Sequence, residues 1–170
     1  MLKLPNALED ITILPVRNKP DWVGFEARLV GALVWVGLKF GVVYALKFMG
    51  YYSVLSGVIY APKGRDLGTV PFRKLMHEGL HDWQARNFSF YRTRYLLSQK
   101  QRRHFEAQAY ALEVWGFGRD YESAVVALVN PIYRLGLSLT EADDLLLQYV
   151  VAFDLSAIPR PITLELKDDA

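Results

Sequence analysis

The sequence predicts an α+β fold that is mostly helical, with a small β-sheet beside one of the helices. Apolar residues repeat at helical spacing in several stretches, and a short β-branched and aromatic segment precedes the strongest of them. The chain has 170 residues, of which 52% are hydrophobic, and no internal repeat divides it. We therefore expect a single domain over residues 1–170 with a substantial core.

The chain is expected to begin with an extended arm over residues 1–20. Three prolines interrupt this stretch, and Ile11 to Leu14 are predicted to form an edge strand within it. No apolar run follows the first charged residue directly, so the sequence does not predict a cleavable signal peptide.

A long apolar segment, LVGALVWVGLKFGVVYALKF, occupies residues 29–48. It is long enough to span a bilayer as a helix, but Lys39 near its centre costs about 2.5 to 3.5 kcal/mol on insertion. Its lysines and tryptophan share one stripe of the helical wheel with the preceding arginine, at Arg28, Trp35, Lys39 and Lys47. We expect a buried core helix, with membrane contact through residues 29–48 as the alternative.

The sequence predicts a strand over residues 52–60 and a helix over residues 70–86. The first stretch is rich in β-branched and aromatic residues and ends just before an Ala-Pro pair. Thr69 is placed to cap the helix, and Pro71 suits its first turn because that position needs no amide donor. A strand beside this helix would bind an extended peptide through main-chain pairing.

The predicted helix contains HEGLH, which fits the HExxH pattern. Side chains four residues apart share a helix face, so His77 and His81 reach one metal ion, and Glu78 reaches a water on that ion. The extended metzincin pattern is excluded, because Gln84 and Asn87 stand where it requires glycine and histidine.

The next predicted helix covers residues 99–115. Ser98 and Gln101 form a capping pair at its start, in which each side chain satisfies the other residue's backbone amide. The helix is expected to stop at Trp115-Gly116.

A catalytic zinc site usually has three protein ligands, so a third must come from outside HEGLH. Glu106 is the expected ligand, because the small Ala109 one turn later lets its helix approach the HEGLH helix closely, and a carboxylate completes a two-His, one-Glu site. His104 and Glu113 are the alternatives.

HEGLH followed by FEAQAYA resembles the gluzincin group of zinc metallopeptidases. More narrowly, SGVIYAP, LMHEGLHDWQ and RRHFEAQAYA resemble small metallopeptidase-like proteins of tailed phages and prophages, over about the middle third of the chain. The resemblance implies a minimal zincin-like domain that binds Zn²⁺ through His77, His81 and Glu106, with Glu78 as the general base. It also implies a peptide or protein substrate, and phage structural proteins as partners.

The chemistry expected of these residues is hydrolysis assisted by a metal ion. Such a reaction needs a donor for the developing oxyanion, and Tyr110, one turn beyond Glu106, is the candidate we select. Four further residues remain possible donors: Tyr91, Tyr95, Arg102 and Arg103.

Composition limits the class of partner and compartment. The formal net charge is only +2, so nucleic acid is not the expected partner. The arginines and lysine between residues 86 and 103 form a basic run that is the one hint of nucleic acid, and a solvated surface explains this run equally well. The chain has no cysteine, which excludes disulfides and thiolate metal sites and fits a reducing compartment. A cytoplasmic or virion-associated location is favoured.

The C-terminal third is expected to support the site. Two helices are predicted within residues 121–153, the first ending at Asn130-Pro131, followed by an extended tail over residues 154–170. Taken together, the residues predict a zinc-dependent hydrolase that cleaves a peptide or amide bond. The alternative is a phage structural or assembly protein that keeps a zinc site without essential catalysis.

Overall fold

The computed structural model describes residues 4–18, 53–55, 58–61, 66–133 and 135–156. Within these ranges the chain is mostly helical and has one small sheet, which confirms the predicted α+β class. The apolar segment 29–48 and most of the predicted tail lie outside the described residues. None of the described helices is both long and apolar enough to cross a membrane. The helices are α1 (Phe72–Asn87), α2 (Tyr91–Leu97), α3 (Gln99–Phe117), α4 (Tyr121–Val129) and α5 (Leu139–Asp154).

The sheet contains β1 (Val16–Asn18), β2 (Ser53–Leu55) and β3 (Val58–Ala61), in the order β1-β3-β2. The central strand β3 is parallel to β1 and antiparallel to β2. β2 therefore lies at one edge of the described sheet, close to helix α1.

The prediction of one continuous strand over residues 52–60 was wrong. Leu55 pairs with Val58 in an antiparallel register, so two strands stand in place of one. The two intervening residues are Ser-Gly, a dipeptide typical of tight turns, and this signal was overlooked in the sequence.

The edge strand predicted at Ile11 to Leu14 was also wrong, since the strand of this arm is β1. Ile11 and Leu14 are buried. Their apolar side chains contribute to the core. Pairing with the sheet begins one residue later, at Pro15, whose carbonyl accepts a hydrogen bond from the Ile59 amide at 2.9 Å.

Helix α1 begins two residues later than predicted, and Thr69 does not cap it. Thr69 belongs to a preceding 3-10 turn, where its hydroxyl donates to the Asp66 carbonyl at 2.9 Å. Pro71 occupies the N-cap position and has no side-chain donor or acceptor to offer. The turn uses the Thr69 hydroxyl locally, which leaves it unavailable to the helix.

Helix α2 was not predicted, and α3 is longer than predicted. The Ser98 hydroxyl accepts a hydrogen bond from the Gln101 amide at 3.2 Å, as the sequence predicted. The expected stop at Trp115-Gly116 was wrong, because α3 continues to Phe117 and its C-cap is Gly118, whose φ of 64° is left-handed. Glycine adopts this conformation without steric cost, which makes it the usual residue just beyond a helix.

Helix α3 is the centre of the helical packing, because it contacts each of the other four described helices. Three alanines on α3, Ala107, Ala109 and Ala111, are fully buried and let neighbouring helices approach closely. At its far end Trp115 stacks on Phe153 of α5, with ring centroids 5.5 Å apart. The two C-terminal helices thus support α3 from one side while α1 packs against another.

Gly79, inside HEGLH, sits where the N-terminal arm crosses α1. A Cβ atom at this position would lie 2.7 Å from the Thr12 carbonyl oxygen and 3.0 Å from Ile11 Cγ2. Arg86 ties the same arm down by donating to the Asp10 carbonyl at 3.2 Å. The motif glycine therefore permits a close backbone approach.

We predict that Gly79→Ala lowers the free energy of unfolding by about 1–2 kcal/mol, because overpacking against a backbone carbonyl outweighs the helix propensity that alanine adds. Urea denaturation followed by circular dichroism measures this. Gly68→Ala is the matched control, since its Cβ would meet only Asp66 Oδ1 at an ordinary 3.5 Å. Equal stability changes in the two variants would contradict the proposed contact.

Candidate metal centre

Three buried side chains converge between α1 and α3. His77 and His81 lie one turn apart on α1, and Glu106 faces them from α3. His77 Nε2 lies 3.8 Å from Glu106 Oε2, and His81 Nε2 lies 3.6 Å from Glu106 Oε1. One ligand atom from each residue falls within 4.8 Å of the others. These three residues therefore form a group that fits a metal ion.

The back of the His77 ring is held by a carboxylate. Its Nδ1 lies 2.6 Å from Glu113 Oε1, and Glu113 Oε2 accepts from Arg119 at 2.6 Å. Burial opposes ionisation, but His77 and Arg119 lower the pKa of Glu113 to about 2, so it is a carboxylate. Burial and then Lys74 lower the pKa of His77, which favours neutral imidazole. With its proton on Nδ1, this ring turns the Nε2 lone pair toward Glu106.

The back of the His81 ring is held by an amide. Gln84 Oε1 lies 2.8 Å from His81 Nδ1. The Gln84 Nε2 group donates to Gln108 Oε1 at 2.7 Å and to the Phe105 carbonyl at 3.2 Å, so Oε1 is the end left to accept. His81 Nδ1 must then carry the proton, and its Nε2 is the nitrogen available to a metal.

Glu106 supplies an oxygen with no other role. Tyr95 donates its hydroxyl to Glu106 Oε1, whereas Oε2 is buried and receives no hydrogen bond from the described residues. A buried carboxylate oxygen without a partner is costly. A cation bound between Glu106 and the two Nε2 atoms would supply the missing partner, so the donor set fits a metal ion.

Glu78 is buried beside the ligands, but its carboxylate forms an ion pair with Lys74. Its Oε1 lies 2.8 Å from Lys74 Nζ, one turn earlier on α1. Burial acts against ionisation, yet the Lys74 ammonium lowers the pKa of Glu78. Burial also works against the Lys74 ammonium, and Glu78 outweighs it to raise the pKa of Lys74. Glu78 is thus held as a carboxylate and is not one of the three grouped residues.

Tyr110 lies against the centre but its hydroxyl is already engaged. Its ring packs edge-on against His77 with centroids 4.8 Å apart, and its hydroxyl lies 2.7 Å from that of Tyr133. Burial, then Tyr133 and Glu106, raise the pKa of Tyr110 well above its ordinary value. Burial and Glu106 likewise raise the pKa of Tyr133. The two tyrosines form a neutral hydroxyl pair beside the ligands.

Three of the remaining candidates lie outside the ligand group, whereas Tyr91 and Tyr95 contact His81 and Glu106. His104 Nδ1 lies 3.0 Å from the Tyr149 hydroxyl, and His104 is not part of the grouped ligands. Glu113 stands behind His77 and not among the ligands. Arg103 donates to the carbonyls of Leu135 and Gly136, at 2.6 and 2.7 Å, and so ties a loop to α3.

Several site residues were missed or misassigned in the sequence analysis, although their spacing carries a signal. Lys74 precedes Glu78 by four residues, and Gln84 follows His81 by three. Glu113 follows Glu106 by seven, two helical turns along the same face. Polar residues at these intervals from a motif are placed to contact it.

Comparisons of this chain with protein-family models, with curated proteins and with solved structures found no match. The geometry of the centre between α1 and α3 is therefore what supports a functional interpretation.

Proposed function

We propose that the protein is a zinc-dependent hydrolase, with a minimal zincin-like domain, that cleaves a peptide or amide bond. One observation carries the proposal. Two imidazole Nε2 atoms and one carboxylate converge in a buried site, and the residue after the first ligand, Glu78, contributes a buried carboxylate that is not in the ligand group.

The donor set supports zinc and a catalytic kind of site. Two imidazoles and a carboxylate are common zinc ligands, and structural zinc sites usually have four protein ligands. Within the described part of the chain, the group contains three such residues. Three ligands leave a coordination position for water or substrate.

The reaction we propose is hydrolysis by an activated water. Zinc at this site would polarise the scissile carbonyl and make a water more acidic. Glu78 accepts a proton from the attacking water and passes it to the leaving nitrogen, as the new C–O bond forms and the C–N bond breaks. The Tyr110 and Tyr133 hydroxyl pair is the proposed donor to the developing oxyanion.

The sheet supports a peptide as the substrate. β2 is an edge strand of the described sheet and lies beside α1, which carries HEGLH. An edge strand presents main-chain donors and acceptors that an extended peptide can pair with. Following the resemblance to phage proteins, we propose a virion component, a host protein or host wall peptide as the target.

The Lys74 contact favours a second candidate function. A base held in an ion pair with its lowered pKa is a weaker proton acceptor. A phage structural or assembly protein that uses the metal for stability has no need of a free base. The ion pair between Lys74 and Glu78 fits that role, and the Glu78 experiment below separates the two functions.

We predict one zinc ion per chain, with loss of zinc in His77→Ala, His81→Ala and Glu106→Ala. Each variant removes one of the three converging ligand atoms. Elemental analysis of purified protein measures the metal content. His104→Ala is the matched control, since it removes the third histidine of the chain and leaves the ligand group intact. Loss of zinc in His104→Ala with retention in Glu106→Ala would contradict the ligand assignment.

We predict that Glu78→Gln keeps zinc but loses turnover by about 10² to 10⁴-fold, the usual cost of removing a general base. Its melting temperature should fall below that of the wild type, because the Lys74 ammonium loses its carboxylate partner. An unbiased peptide-library cleavage assay measures the rate. Glu122→Gln, at an exposed position on α4, is the control for loss of a carboxylate. Wild-type turnover in Glu78→Gln would contradict Glu78 as the general base, whereas no cleavage by the zinc-loaded wild-type protein would refute the hydrolase and favour the structural role.

A further inference from the structure

The short helix α2 contacts two of the three proposed ligands. Tyr91 and Tyr95 lie one turn apart on the same face of α2. The Tyr91 hydroxyl lies 3.1 Å from His81 Nδ1, and the Tyr95 hydroxyl donates to Glu106 Oε1. Helix α2 thus contacts one ligand on α1 and one ligand on α3, although it carries no ligand itself.

The position of α2 is determined by its ends and by aromatic packing. Phe90 at its N-cap has a left-handed φ of 59°, and extended Ser98 separates it from α3. The rings of Tyr91 and Tyr95 both pack against Phe105, at centroid distances of 4.6 and 6.5 Å. Phe105 is fully buried and directly precedes Glu106. The tyrosine hydroxyls are therefore presented to the ligands by a packed framework.

The two hydroxyl contacts differ in kind. His81 Nδ1 already faces Gln84 Oε1 at 2.8 Å, so Tyr91 is an additional partner there. Glu106 Oε1 receives the Tyr95 hydroxyl, while Oε2 receives no hydrogen bond from the described residues. Tyr95 therefore makes the two oxygens of Glu106 inequivalent.

This inequivalence affects how a carboxylate binds metal. A carboxylate ligand binds through one oxygen or through both, and a hydrogen bond to one oxygen occupies lone-pair density that the metal would use. The Arg102 guanidinium lies over the Tyr95 ring, 5.9 Å from its centroid. A positive charge over a phenol makes its hydroxyl a stronger donor, which reinforces the contact with Oε1.

We propose that Tyr95 is a positioning residue that limits Glu106 to metal binding through Oε2 alone. A second Glu106 oxygen on the metal would fill the coordination position that water or substrate needs. The inference rests on the metal centre of the proposed function, and concerns how one coordination position of the metal is left for water or substrate.

Cobalt substitution tests this proposal without reference to activity. Four-coordinate Co²⁺ absorbs visible light more strongly than five- or six-coordinate Co²⁺. We expect an intense visible band from the cobalt-loaded wild-type protein and loss of that intensity in Tyr95→Phe, because the freed Oε1 would then also bind the metal. An unchanged band in Tyr95→Phe overturns the proposal.

Tyr91→Phe is the matched control. It removes a hydroxyl from the same helix and the same ring cluster, but leaves Glu106 Oε1 hydrogen-bonded and His81 Nδ1 paired with Gln84. We expect it to keep the intense band. A band lost equally in both variants would indicate general loosening of α2 and would also overturn the specific role of Tyr95.

A measurement on the wild-type protein covers the case in which Tyr95→Phe does not fold. X-ray absorption of the zinc-loaded protein reports the coordination number, and a five- or six-coordinate ion with both Glu106 oxygens bound overturns the proposal. If the wild-type chain takes up neither zinc nor cobalt, the proposed centre and this inference both fail. Stoichiometric metal with an unchanged Tyr95→Phe band removes this inference alone.

Discussion

A strip of polar side chains is buried between α1 and α3, and the need to pair every one of them governs the rest of the structure. His77, His81 and Gln84 on α1 meet Glu106 and Glu113 on α3 at positions that exclude most solvent. Buried polar groups without partners cost several kcal/mol each in an apolar setting, on the order of 2–7 by transfer estimates. The interface is stable only if each side chain has a defined partner, and this requirement sets the ring orientation of both histidines.

The surrounding elements supply those partners and the close packing that brings them together. Arg119, just beyond the end of α3, neutralises Glu113, and α2 contributes hydroxyls to His81 and Glu106. The alanines of α3 allow close helix contact, and Gly79 on α1 admits the N-terminal arm at backbone distance. Helices α4 and α5 complete the core around α3. Stability and metal geometry therefore depend on the same contacts.

The two histidines and Glu78 lie on the same helix but have different partners, and these partners give them different roles. Both histidines have a partner on Nδ1, so their Nε2 atoms turn toward Glu106, whereas Glu78 is engaged by Lys74. One helix can thus carry two ligands and a carboxylate with a different role. The same principle applies to Glu106, whose two oxygens face different environments. Outer contacts of this kind tune a metal site as much as the ligands themselves do.

The sequence by itself determined the features that depend on local spacing. Helical periodicity predicted α1, α3 and the two C-terminal helices, and HEGLH predicted that two imidazoles share a face, because a helix repeats every 3.6 residues whatever surrounds it. The tertiary structure decided which carboxylate of α3 faces both histidines. Glu106 and Glu113 lie two turns apart on a similar face and are equally buried, and only the packing of α1 on α3 sets which of them meets the two Nε2 atoms. It also decided the contact between Tyr110 and Tyr133 and the position of α2, since these depend on packing between separate elements that no local pattern encodes. The pairing of β2 with β3 and the contacts of Lys74 with Glu78 and of Gln84 with His81 are local, and the sequence carried a signal for each of them.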